Sequence, residues 1–115
     1  MPSSGLRGSF PLTTSGISNN VTATSAGAYA LGEVRASDSM FVISRVGRSD
    51  NDVAERLGDY IGQYKRFKFE YYPSAKAAFE KECRLYHDFE PPDNKIHPDR
   101  PNGSGWECPV CTIFD

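Results

Sequence analysis

The chain has 115 residues, with 13 Lys and Arg against 15 Asp and Glu and a formal net charge of −2, a length that suits one domain. No apolar run approaches the roughly 20 residues of a membrane-spanning helix, and the charge balance argues against tight non-specific nucleic-acid binding, which needs a clear basic excess. Three cysteines without a secretory leader pattern argue against a disulfide framework, so the expected location is cytoplasmic and the cysteines are candidates for metal ligation or catalysis.

Residues 1–26 carry one charge, Arg7, and 15 Ser, Thr, Gly and Asn residues. So little apolar surface does not offset the entropy of ordering, and a mobile N-terminal tail is expected there. The folded unit is then 27–115, small enough to gain from a staple. Gly27–Val34 alternates loosely and reads as a strand. Residues 40–46 are apolar and β-branched and read as a second strand after a short polar link, with Gly47 ending it. Ser49, Asp50 and Asn51 are candidate N-caps for a helix over 52–61, with Gly62 as its C-cap. Residues 66–72 alternate as a third strand, placing Phe67, Phe69 and Tyr71 on one face. Pro73 and Ser74 stop it and cap a second helix, Ala75–Phe89. Five prolines follow, so no regular element is expected beyond. The order β-β-α-β-α describes an α/β (α+β) fold: a small, mostly antiparallel three-stranded sheet flanked by helices, with an irregular C-terminal tail.

Charge is uneven. Residues 45–84 hold nine Lys and Arg with seven Asp and Glu, whereas 85–115 hold two and six. A mildly basic centre gives weak support for a phosphate ligand.

The second helix carries the most informative residue. At about 100° per residue, Ala78, Phe79, Leu85, Tyr86 and Phe89 fall on one arc, and Glu82 lies near its middle. Glu80, Lys81, Arg84 and Asp88 take the opposite side. A carboxylate aimed into an apolar face must be paired, protonated or bound to a metal, which makes Glu82 a functional candidate. The bland alternative is a structural ion pair, with Arg56 as the partner to expect.

Strand order and residues together resemble the GIY-YIG nuclease family from Gly27 to about Asn94. Gly27-Ala28-Tyr29 stands where the family carries Gly-Ile-Tyr. Arg45-Val46-Gly47 stands where it carries Tyr-Ile-Gly, so its second tyrosine is Arg45 here, and the literal Tyr60-Ile61-Gly62 lies on the helix instead. Arg56 and Tyr60 match the arginine and the aromatic four residues later on the family's first helix, and Glu82-Cys83-Arg84-Leu85-Tyr86 matches its metal-binding glutamate pattern. The resemblance implies metal-dependent phosphodiester hydrolysis of nucleic acid, with DNA the first expectation. Glu82 would hold Mg²⁺ or Mn²⁺, Tyr29 would act as base or orient the water, Arg56 would contact the phosphate, and Tyr60 would complete the catalytic set. Arg45, Arg48 and Asn94 are the candidate substrate contacts. The alternative is a non-catalytic nucleic-acid or protein-binding module on the same fold.

A second constellation is Cys83, His87, Cys108 and Cys111. Cys83 and His87 are i and i+4 on one helix face, and Cys108-Pro109-Val110-Cys111 has the spacing of a zinc knuckle. Together they form a closed Cys₃His set for a structural zinc ion that ties segment 94–115 to the helix. His97 is a rival fourth ligand. The competing readings are a buried structural Cys83 and a redox Cys108–Cys111 pair.

Overall fold

A computed structural model of the chain describes residues 4–114. Its elements are β1 (Arg7–Pro11), α1 (Thr14–Asn20), β2 (Gly27–Val34), β3 (Phe41–Ser49), α2 (Val53–Gly58), β4 (Arg66–Tyr71) and α3 (Ala75–Phe89). The class is mixed α and β, as expected, but the sheet has four strands, in the order β1-β4-β2-β3, where three were expected. All its pairings are antiparallel.

The sheet separates two cores. Alternation along β2 places Tyr29 and Leu31 on one side, with Phe67 and Phe69 of β4 and with Val53 and Leu57 of α2. Ala28 and Ala30 face the other way, against Val46 and Leu85 of α3. Small side chains on that face let α3 approach the strands closely. Among the described residues, no helix is long and apolar enough to cross a membrane.

Residues 7–20 correct the expected mobile tail, of which residues 1–3 lie outside the described chain. β1 pairs with β4, Thr13 caps α1 by accepting from the Gly16 N–H at 2.9 Å, and Leu12, Ile17 and Val21 enter the core. The apolar residues are few, but each is placed on a partner. Gly16 is required by the crossing, because a Cβ there would stand 2.0 Å from the Pro11 carbonyl oxygen.

Element boundaries also differ, most at β3 and α2. β3 runs on past Gly47 to Ser49, because Gly47 pairs with Tyr29 and its missing side chain makes room for that ring. Asp52, not an earlier residue, caps α2, accepting from the Glu55 N–H at 3.3 Å. α2 ends at Gly58, short of 61, and Tyr60 turns inward so that its ring lies 6.0 Å from Tyr29 and 6.2 Å from Tyr64. The C-cap is Asp59, and Gly62 instead supplies a left-handed turn residue at φ 89°. α3 has the expected bounds: Ser74 accepts from the Ala77 N–H at 3.1 Å, and the helix stops at Glu90 in a left-handed conformation before Pro91 and Pro92.

β3 is a sheet edge, and the chain after α3 covers part of it. A bulge in the β2–β3 register turns the Ser44 carbonyl outward to accept from the Asp93 N–H at 2.9 Å. The Asn94 side chain then mimics a strand, accepting from Val46 N–H at 2.8 Å and donating to Val46 carbonyl at 3.0 Å. These contacts satisfy edge groups that would otherwise stay open.

Candidate functional site

A cleft of about 630 Å³ runs along the second half of β3, between α2 on one side and α3 with the C-terminal segment on the other. Tyr29, Arg45, Arg48, Arg56, Tyr60, Glu82 and Asn94 all line it. The strand, both helices and the tail therefore bring every residue of the expected catalytic and substrate-binding sets to one place.

Glu82 is 9% exposed, as its helical phase requires. Its Oε1 accepts from Arg48 Nη1 at 2.7 Å. Arg56, the partner expected for such a pair, instead lies exposed, and its one ion pair among the described residues is a long one to Asp59, at 3.8 Å. The reason is the length of β3: its alternation puts Arg48 on the face of Val46, the face on which α3 packs. Arg48 also donates through Nε to Asp50 Oδ1 at 2.9 Å and lies 5.0 Å over the Phe79 ring. Burial pushes the Glu82 carboxyl up, while the hydrogen bond and charge of Arg48 pull it back.

Tyr29 is 2% exposed. Burial raises its phenol far above the ordinary range, Tyr60 raises it further, and Arg56 opposes. Arg45, standing in the position of the second tyrosine, donates through Nε to Tyr64 Oη at 3.1 Å, and Tyr64 donates to Asp93 Oδ2 at 2.6 Å. This relay fastens the tail to the sheet edge. Asn94 borders the cleft, but its amide is spent on Val46.

The second cluster lies on the neighbouring arc of α3. Here the expected ligand set is corrected at one position. His87, His97, Cys108 and Cys111 converge, with ligand atoms all within 4.8 Å of one another, and form a group that could hold a metal ion. Cys83 is outside that group: it is fully buried one turn back, with Phe79, Cys108 and Trp106. The rival, His97, stands there instead, because its ring packs against those of His87 at 5.1 Å, Tyr86 at 5.2 Å and Phe114 at 5.6 Å. His97 Nε2 lies 3.2 Å from His87 Nε2 and 3.4 Å from Cys111 Sγ. Bonds of about 2.0–2.3 Å around a tetrahedral ion give ligand separations of roughly 3.3–3.8 Å, which these contacts approach.

The donors are prepared for a cation. His97 Nδ1 lies 2.7 Å from the Pro98 carbonyl oxygen. That oxygen only accepts, so Nδ1 carries the proton and Nε2 presents its lone pair to the cluster. Burial works against ionising Cys108, but the Val110 and Cys111 N–H groups and His97 outweigh it and bring the thiol down to about 6. Burial and the adjacent Cys108 push the Cys83 thiol up, which suits a neutral packing residue.

Comparison of the chain with protein-family models, with curated proteins and with solved structures returned no match.

Proposed function

We propose that the chain is a GIY-YIG-like nuclease domain that hydrolyses phosphodiester bonds of nucleic acid, DNA first, and that a structural zinc ion on His87, His97, Cys108 and Cys111 holds its tail. The observation that carries the first part is the meeting of Tyr29, Arg56, Tyr60 and Glu82 in one cleft from three separate elements. The zinc part rests on the convergence of two imidazoles and two thiols, a closed donor set of the structural kind.

A hard divalent cation fits Glu82. Its Oε1 accepts from Arg48, and no hydrogen bond to Oε2 is found among the described residues, which leaves that oxygen's lone pairs for a cation in the cleft that Glu82 lines. Mg²⁺ or Mn²⁺ held there would supply charge neutralisation for the phosphate oxygens. The rest is the work of the chain. Arg56 is exposed at the cleft wall, and its one ion pair among the described residues is long, so its guanidinium can take a phosphate oxygen. Tyr29 keeps its proton in this environment, and it serves the reaction by orienting a water through its hydroxyl rather than as a phenolate base. Tyr60 packs on it and fixes the ring. Six carboxylates border the cleft against three arginines, so a phosphate backbone is admitted only when a divalent cation is present.

The test is nicking of defined DNA and RNA substrates with Mg²⁺ or Mn²⁺, comparing the natural protein with Glu82→Gln. Glutamine keeps an acceptor oxygen for Arg48 and so preserves the fold, while losing the charge that holds the ion. Cleavage that is lost with Glu82→Gln supports the assignment; cleavage that persists places the chemistry elsewhere. One observation favours the non-catalytic alternative: Arg45, in place of the second tyrosine, is committed to Tyr64. Salt-sensitive nucleic-acid binding without cleavage on any substrate is the outcome that selects it.

A further inference from the structure

Arg48 and Glu82 form the most enclosed ion pair in the cleft, with side chains 14% and 11% exposed. The arginine is held at three points, by Glu82, by Asp50 and over the Phe79 ring. A carboxylate buried this deeply keeps its charge only beside a positive partner. It does not accept two at once without cost, because a guanidinium and a divalent ion a few ångströms apart repel strongly where water is scarce.

We infer that Arg48 is a resident counterion that yields Glu82 to the divalent cation and turns into the cleft to bind the substrate phosphate. The inference rests on the nuclease reading and deepens it by making Arg48 the residue that couples cation binding to substrate binding. The geometry provides for the exchange. Asp50 sits at the cleft border, 44% exposed, and already holds the Nε of Arg48, so the side chain can pivot about that contact while Nη1 leaves Glu82. The freed edge of a guanidinium matches two phosphate oxygens. Without substrate, Arg48 competes for Glu82 and cation affinity is weak. With a phosphodiester present, Arg48 has a new anionic partner and the competition is relieved, so cation and substrate bind cooperatively.

The exchange is measured with Mn²⁺ alone, by electron paramagnetic resonance on the full zinc-loaded chain at pH 8. Arg48→Gln is expected to bind Mn²⁺ about tenfold more tightly than the natural protein, since a competing cation is gone. Glu82→Gln should abolish that binding, and Arg48→Lys should stay close to the natural value. Cleavage by Arg48→Gln should fall by about tenfold or more, for want of the phosphate contact. Opposite directions for the two readouts set this role apart from a structural one, which weakens both. A measurement on the natural protein stands beside the variants: the protected guanidinium protons of Arg48, followed by NMR, should become exposed as Mg²⁺ is added. Unchanged Mn²⁺ affinity in Arg48→Gln, or guanidinium signals indifferent to Mg²⁺, overturns the inference while Glu82-dependent cleavage leaves the nuclease reading standing. Absence of both Mn²⁺ binding and cleavage overturns the two together.

Discussion

Replacing Gly47 by alanine probes the position of Tyr29, on which the cleft depends. An alanine Cβ at this position would stand 2.4 Å from Tyr29 Oη, 2.5 Å from Cζ and 3.0 Å from Cε1. These atoms belong to a rigid ring that is 2% exposed and backed by Tyr60 at 6.0 Å between centroids, so the ring cannot step aside alone. Overpacking of this kind costs about 1–3 kcal/mol. Alanine recovers part of that, about 0.5–1 kcal/mol, by restricting the unfolded chain. The net expectation is a loss of roughly 1–2 kcal/mol, or about 4–8 °C in Tm for a domain of this size.

Thermal unfolding followed by circular dichroism reads that loss, and a double-mutant cycle identifies its source. In a Tyr29→Leu background the ring is absent, and Gly47→Ala should become neutral or slightly stabilising, a coupling of about 1 kcal/mol or more. Tyr29→Phe should relieve the clash only in part, since Cζ remains 2.5 Å from the new Cβ. Gly47→Ala that raises Tm in the natural protein, or that costs the same in both backgrounds, would refute the packing of Tyr29 on this strand and with it the geometry of the cleft.

Two predictions concern the second cluster. Native protein should carry one zinc per chain, and removing it with a chelator, or Cys111→Ser, should release the tail; Trp106, the single tryptophan, packs 5.5 Å from Phe79, so its emission should shift to the red, and an unchanged spectrum with metal removed would sink the staple. Thiolate and imidazole ligands must shed their protons to hold the ion, so zinc release followed with a colorimetric chelator should rise as pH falls from 7.5 to 5, and a flat profile across that window would contradict the assignment.

What could be read from the sequence was local. Alternation gave β2, and the helical phase of α3, with Ser74 at its start, gave both its limits and the inward Glu82. What could not be read depends on contacts far apart along the chain. β1 is held by β4 some sixty residues on, and the few apolar residues around it carry no period of their own. Gly47 looked like a stop because nothing local reveals that a tyrosine ring from the adjacent strand needs the space of its missing side chain.

The remaining two differences, the partner of Glu82 and the fourth member of the His and Cys cluster, both concern residues of α3 and share a physical origin. The helix turns about 100° per residue, so Glu82 and Cys83 are neighbours in sequence that face different surroundings. Sequence phase gives the direction of each but not what waits there. For Glu82 the partner follows only from the longer strand: β3 extended through Ser49 puts Arg48 on the face of Val46, against which Leu85 of the same helix packs, and a strand ending at Gly47 hides it. For Cys83 no such signal exists, because a proline-rich segment has no period from which to predict where His97 lands. Adjacent arcs of one helix thus serve the cleft and the metal cluster. The segment that brings His97, Cys108 and Cys111 to His87 is also the one whose Asn94 and Asp99 border the cleft. Removing a metal ion held by that cluster should therefore be felt at the cleft, although none of its four converging residues borders it.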